Sequence, residues 1–301
     1  MRTSIGRRGC PPGRRNGFRW RAHSGAPLQL LVLLVCLSAC VPLDQLPPGS
    51  IPGPVPGSSA TGGKAANFAD LDPGSTQITT LHFTLRGYND NDLRPVSMIA
   101  ESLYNKIGND TGLYSFLASG SFTLVVYHDK DEYLRKTHLP SWSRAVATGN
   151  SIYLYPGDDL EPVLVHEMTH LIFNTYMGDK ATTLRWLNEG LAMYEELSKM
   201  PESDRAAFTS SQLTQLRDRK MSFSQMTFFT PLTEEQRRVE IWYQQVESVI
   251  AFLMSQGSAL NFASMLNEIR GGSDIDRALG NAYPGKFHSL NELEQAWKYT
   301  V

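Results

Sequence analysis

The pentapeptide HEMTH, at residues 166–170, restricts the fold of this chain more than any other feature. Two histidines four residues apart lie on one face of an α-helix, so both imidazoles can reach the same ion. Apolar residues flank the pentapeptide on both sides over residues 163–173, which predicts a buried helix. Burying a glutamate and two histidines there is costly unless they bind a partner. We therefore expect a metal site rather than an ordinary helix with two surface histidines.

A second segment, WLNEG, supplies the ligand that a catalytic zinc still lacks. It contains Glu189 and opens another apolar helix, predicted over residues 184–197. Eighteen residues separate Glu189 from His170, enough for one helix to end and a second to return. His166, His170 and Glu189 are therefore the predicted ligands of one Zn²⁺ per chain, with a fourth position left for water. Glu167 is the predicted general base for that water.

These two segments together resemble the gluzincin metallopeptidases, and within them the bacterial peptidase MA-like domains. The resemblance is sharpest over residues 161–197 and covers most of residues 75–300 in layout. It implies an α+β, zincin-like fold with a small N-terminal mixed sheet and helices, a central HExxH helix and a C-terminal helical subdomain. It also implies a zinc metallopeptidase whose substrate is a peptide or protein.

The resemblance can be carried over residue by residue. His166, His170 and Glu189 match the zinc ligands of the family, and Glu167 matches its catalytic base. Family members commonly stabilise the oxyanion with a Tyr or His from a helix downstream of the third ligand. Tyr243 is the candidate here, because it opens the helix after an aromatic segment. The alternative is a tyrosine that is simply buried in the core.

Several departures narrow the family. A metzincin would have a glycine and a histidine where this chain has Phe173 and Tyr176, which excludes that branch. The G-x-M-E-N motif of aminopeptidases is absent, so endopeptidase activity is favoured over exopeptidase activity. Thermolysin-like enzymes place an Asp where this chain has Met193, so another acceptor must orient one of the histidines. Asn188 is interpreted as a cap of the helix that carries the third ligand.

The first 39 residues resemble a bacterial lipoprotein signal peptide. Seven arginines come before an apolar core at residues 28–39, which at twelve residues is too short to span a bilayer comfortably. The core ends in LSAC, and the cysteine of that tetrapeptide, Cys40, is the expected lipidation site. The alternative is a plain secretory signal in which Cys40 is incidental.

Residues 40–64 follow as a predicted tether, because a segment so rich in Pro, Gly and Ser cannot bury enough apolar surface to fold. All 30 acidic residues lie after residue 40, together with 21 basic ones, which gives that part a net charge of −9. Such a charge makes nucleic acid a poor partner and repels anionic lipid. The lipid on Cys40 is therefore the predicted membrane attachment, and the expected location is outside a bacterial cell membrane.

Residues 65–301 form the predicted metallopeptidase domain, with a sheet lobe at 65–160 and the metal-site helices and helical lobe at 161–301. Strands are predicted at 78–85, 122–127 and 151–155, and helices at 93–107, 129–136, 204–219, 234–256, 261–270 and 290–297. In the family, substrate pairs with an exposed edge strand by β-augmentation. Residues 151–155 are the candidate edge, and a covered interior strand is the alternative.

The aromatic segment 221–232 is interpreted either as a loop over the active-site cleft or as core beneath a long connection.

Two functions other than an active peptidase stay open. The domain could be a catalytically silent, metal-containing lipoprotein that binds peptides or envelope polymers. A third reading is a structural envelope lipoprotein whose motif is accidental. Stoichiometric metal and peptide cleavage separate the three.

Overall fold

A computed structural model describes residues 68–113, 121–231 and 234–301 of the chain. The signal peptide predicted at 1–39, the lipidation site Cys40 and the tether predicted at 40–64 lie outside these residues. Those three therefore stay predictions.

Five strands form one mixed sheet in the order β1-β2-β3-β5-β4. They are β1 (Thr76–Thr79), β2 (Phe83–Gly87), β3 (Phe122–Val126), β4 (Ala145–Thr148) and β5 (Ser151–Leu154). Strands β2, β3 and β5 run parallel, and the two outer strands, β1 and β4, run antiparallel to their neighbours.

Helices make up most of the rest of the described chain. They are α1 (Asp90–Thr111), α2 (Lys130–Thr137), α3 (Leu160–Met177), α4 (Arg185–Ser198), α5 (Glu202–Arg219), α6 (Phe223–Thr227), α7 (Gln236–Ser255), α8 (Ala259–Arg270), α9 (Ile275–Ala282) and α10 (Leu290–Lys298), with a 3₁₀ helix at Gly178–Leu184. The predicted α+β, zincin-like fold is confirmed. Within the described ranges, a single helix long and apolar enough to cross a membrane does not occur; only α7 and α8 together, bent by 116°, reach that length and composition.

Alternation along the strands divides the core between the two faces of the sheet. Phe83, Leu85 and Leu124 point toward α1 and α3 and join the main hydrophobic core. Val125 and Val146 point to the other face and pack in a smaller, tyrosine-rich cluster under α2. The sheet is thus covered on both sides, as its parallel centre requires.

The single strand predicted at 78–85 is wrong, because the chain makes a hairpin there. Leu81 and His82 form the turn between β1 and β2, and Thr80 N–H donates to the carbonyl of Phe83. Glu101 of α1 accepts from the Thr80 hydroxyl and from the backbone N–H of His82, at 2.5 and 2.9 Å. A carboxylate nineteen residues away thus holds a turn that lacks the usual Gly or Asn.

The edge strand predicted at 151–155 is also wrong. β5 lies between β3 and β4, so the outer strand on this side is β4. Gly149 has a φ of +57° and, with Asn150, forms the turn between β4 and β5. The turn places β4 on the outer side of β5. Two-residue hairpin turns need positive φ, which glycine adopts without strain.

Residues 68–72 clasp the face of the sheet away from the main core. The carbonyl of Ala69 accepts from the Tyr127 hydroxyl at 2.9 Å, and the ring of Phe68 packs edge-on against Tyr153. Lys136 of α2 donates to the carbonyl of Asp70 at 2.6 Å. This segment therefore enters the domain on the side of α2.

The first part of the aromatic segment belongs to the core. Gln245 of α7 exchanges two hydrogen bonds with the backbone of Met221, and the Trp242 indole donates to the carbonyl of Met226 at 2.9 Å. The side chains of Phe223 and Met226 are fully buried. Residues 221–226 are therefore part of the core and do not form a loop over the active-site cleft.

Candidate metal centre

Helix α3 carries the HEMTH pentapeptide directly beneath the edge strand. Its residues from 163 to 173 are all buried, because the sheet covers one side and helices α1 and α4 cover the others. At the end of the helix Gly178 has a φ of +59°, and the 3₁₀ helix Gly178–Leu184 turns the chain into α4. Between His170 and Glu189 one helix therefore ends and a second begins, as predicted.

Three donor atoms converge where α3 meets α4. The Nε2 atoms of His166 and His170 are 3.1 Å apart, and Nε2 of His170 lies 3.6 Å from Oε2 of Glu189. The ligand atoms of all three residues lie within 4.8 Å of one another, and each residue is at most 3% exposed. The structure thus brings together the three predicted ligands in one buried cluster.

The orienting partners that the sequence left open lie on α4. Nδ1 of His166 is 2.8 Å from Oε2 of Glu196, and Nδ1 of His170 is 2.9 Å from Oδ1 of Asn188. The Asn188 side chain donates in turn to Asn174 at 2.9 Å. The prediction that Asn188 caps α4 is wrong, because the residue lies inside the helix and its side chain points at His170.

The chemistry of this donor set fits zinc. Two imidazole nitrogens and one carboxylate oxygen are ordinary Zn²⁺ ligands, and both histidines have a partner on the nitrogen that faces away from the cluster. Burial lowers the pKa of the His166 imidazole and so favours the neutral form that binds metals, although the nearby Glu167 opposes this shift. Burial also raises the pKa of Glu196, with Asp159 adding to the effect. A bound cation would favour the ionised carboxylate.

Glu167 lies next to the cluster and faces the sheet. Its Oε2 accepts a hydrogen bond of 2.6 Å from the backbone N–H of Ala147 on β4. The side chain is buried, and this hydrogen bond holds one carboxylate oxygen against the edge strand. A carboxylate in that place can accept a proton from a water molecule at the cluster.

Tyr243 lies on α7, which packs against the helix that carries Glu189. The expectation that it opens this helix is wrong, because α7 begins at Gln236. Its side chain is buried, and its ring meets that of Trp242 edge-on at 5.1 Å between centroids. The structure places this tyrosine on the helix next to α4 and one turn before Val246, where α7 comes closest to Gly190. Its role toward the oxyanion stays a prediction.

Gly190 permits that close approach. A Cβ atom at this position would lie 2.6 Å from the carbonyl oxygen of Val246 and 2.7 Å from the side chain of Ile250. Replacing Gly190 with alanine is expected to lower the free energy of unfolding by about 1–3 kcal/mol, because backbone must move to admit the methyl group. Chemical denaturation measures the change.

A matched control is available for this prediction. Gly280 on α9 is also helical, but its added Cβ would meet nothing closer than 3.8 Å. Alanine there is expected to be neutral or stabilising, because it removes the flexibility of glycine in a helix. Equal destabilisation by the two substitutions would contradict the close approach of α4 and α7.

Loss of the Glu196 carboxyl is expected to weaken zinc binding about 10- to 100-fold, because His166 would lose the group that orients its ring. We expect the larger effect for Glu196→Ala and the smaller for Glu196→Gln, which keeps an acceptor oxygen. Competition with a zinc chelator of known affinity measures the change. Unaltered zinc affinity in both variants would show that the contact between Glu196 and His166 is unimportant.

Comparison with known protein families agrees with this geometry. A family model described as the Peptidase MA superfamily matches residues 153–301. The match begins in β5 and includes α3, α4 and α7, and therefore the three donor residues, Glu167 and the partners of the two histidines; Ala147 of β4 lies before it. No curated protein sequence matches the chain significantly.

Proposed function

We propose that the protein is a zinc-dependent endopeptidase held outside a bacterial cell membrane by lipid on Cys40. Residues 153–301 match the peptidase MA superfamily. One observation carries the catalytic part of the proposal. His166, His170 and Glu189 converge in a buried cluster, with the carboxylate of Glu167 beside it. Two adjacent helices, α3 and α4, therefore provide the metal ligands and the base.

The chemistry divides between the metal and the side chains. Zinc, when bound, polarises a carbonyl and lowers the pKa of water. Glu167 accepts the proton of the attacking water and passes it to the leaving amine nitrogen. Glu196 and Asn188 hold the two imidazoles in place, and Tyr243 is the proposed donor to the oxyanion.

The edge strand β4 is the proposed binding site for the substrate. It is the outer strand of the sheet on this side, and the N–H of its Ala147 already points at Glu167. A peptide that adds to β4 as a further strand therefore passes beside the base. Since the chain lacks the motif that captures a free amino terminus, cleavage within a peptide is the proposed mode.

The lipid anchor rests on the sequence alone. The apolar core and the LSAC segment support cleavage before Cys40, and an extended chain from Cys40 to Phe68 could reach at most roughly 100 Å. The domain would then act on substrates near the membrane surface. Labelling with an alkyne analogue of palmitate tests this part, because Cys40→Ser is expected to abolish incorporation of the label.

Metal content and peptide cleavage together test the catalytic part. The purified protein is expected to hold one zinc per chain, to lose peptide cleavage on treatment with a chelator, and to regain it when zinc is returned. His166→Ala is expected to hold no stoichiometric zinc. Zinc without cleavage of any peptide in a broad library would favour the silent, peptide-binding lipoprotein. Absence of zinc would contradict the site itself.

A further inference from the structure

We propose that the backbone N–H of Ala147 positions Glu167 for catalysis, so that the edge strand holds the general base as well as the substrate. This inference rests on the proposed function, because it assigns a role within that reaction. Its structural basis is the 2.6 Å hydrogen bond from Ala147 N–H to Oε2 of Glu167. Since Ala147 has no functional side chain, sequence inspection cannot identify such a group.

The register of the hairpin explains why this N–H is available. Thr148 and Ser151 flank the two-residue turn, and Ala147 is opposite Ile152. Residues opposite each other in an antiparallel pair alternate between exchanging two hydrogen bonds and exchanging none. The pair next to a two-residue turn exchanges them, so the backbone groups of Ala147 point away from β5 and toward the open edge.

The surroundings of Glu167 fix the positions of both groups in this hydrogen bond. The carboxylate is buried, and β4 is held on its other side by pairing with β5 along its whole length. Hydrogen bonds between an amide and an ionised carboxylate are shorter and stronger than neutral ones. A strand fixed in the sheet thus fixes the base, in the way that outer groups fix the two histidines.

A consequence follows for a peptide that pairs with β4. The residue opposite Ala147 would normally exchange two hydrogen bonds with it. Here the N–H of Ala147 is already donated to Glu167, so only its carbonyl remains for the peptide. The ladder between peptide and β4 is therefore interrupted beside the base.

Amide hydrogen exchange tests the contact without any need for activity. In the zinc-loaded protein, Glu167→Ala is expected to speed exchange of the Ala147 amide by at least about tenfold, since its acceptor is lost. Glu167→Gln keeps an acceptor oxygen and is expected to retain slow exchange. The Val146 amide, which points toward β5, is the internal reference. Equal Ala147 exchange rates in all three proteins would overturn the inference.

Replacement of a backbone amide by an ester tests the catalytic role. Lactic acid at position 147 removes the N–H that meets Glu167, whereas the hydroxy-acid analogue of valine at position 146 removes an N–H that faces β5. Each ester also weakens the preceding carbonyl as an acceptor, so the two proteins share that side effect. We expect kcat of the Ala147 ester to be about 10- to 100-fold below that of the Val146 ester, with KM within about threefold. Zinc content and thermal unfolding establish that both proteins are folded and loaded.

The outcomes separate this inference from the proposed function. Similar kcat values for the two esters would overturn the positioning role, even if the enzyme is an active peptidase. If the unmodified protein cleaves no peptide, the proposed function fails. The exchange experiment then still decides whether Ala147 holds Glu167.

Discussion

Replacement of Glu167 by glutamine is expected to lower kcat for peptide cleavage by about 10²- to 10⁴-fold while one zinc per chain is retained. The amide keeps the size of the side chain and an oxygen that can accept from Ala147, but it cannot take up a proton. The three metal ligands are untouched. Steady-state cleavage of fluorogenic peptides, with zinc measured on the same samples, checks both parts.

Glu161→Gln is the matched control for this experiment. Glu161 lies on the first turn of the same helix and pairs with Lys199 at 2.6 Å, so its substitution changes α3 without touching the cluster. Its kcat is expected to stay within about twofold of the unmodified protein, as for other surface positions. Full activity of Glu167→Gln would remove this residue as the base.

Replacement of Lys106 by methionine is expected to lower the free energy of unfolding by about 3–5 kcal/mol, the cost of leaving one member of a buried ion pair alone. Lys106 of α1 contacts both Asp110 and the fully buried Glu195 of α4. Burial raises the pKa of Glu195, and Lys106 is the group that opposes this shift most. Chemical denaturation measures the loss.

Two further measurements test the cause of that loss. Arg94→Met removes an exposed pair with Asp90 on the same helix and is expected to cost less than about 1 kcal/mol. The deficit of Lys106→Met is expected to shrink as the pH falls, because a carboxyl with a raised pKa in the folded state is then protonated and no longer buries a charge. A deficit that grows in acid would contradict this explanation.

Sequence patterns predicted the parts of the metal centre that are local in the chain. The spacing of His166 and His170 requires a helix, and the apolar residues around Glu189 predict a second one. Position within a helix also indicates one of the orienting partners. Glu196 follows Glu189 by seven residues, two helical turns, and therefore lies on the same face of α4.

Features set by contacts distant in sequence could not be predicted. The turn between β1 and β2 depends on Glu101, nineteen residues away, and contains no residue typical of turns. The order of β4 and β5 depends on which of them pairs with β3, and the two strands have equal lengths. Strands of only four residues do not reveal which of them forms the edge of a sheet.

The clasp formed by residues 68–72 has a mechanical consequence. Tension applied to the chain ahead of residue 68 enters the domain where Ala69 meets Tyr127 and Asp70 meets Lys136, on the face of the sheet away from the main core. The metal-binding helices α3 and α4 lie on the opposite face. A pulling force would therefore reach the sheet and α2 before it reaches the metal-binding helices.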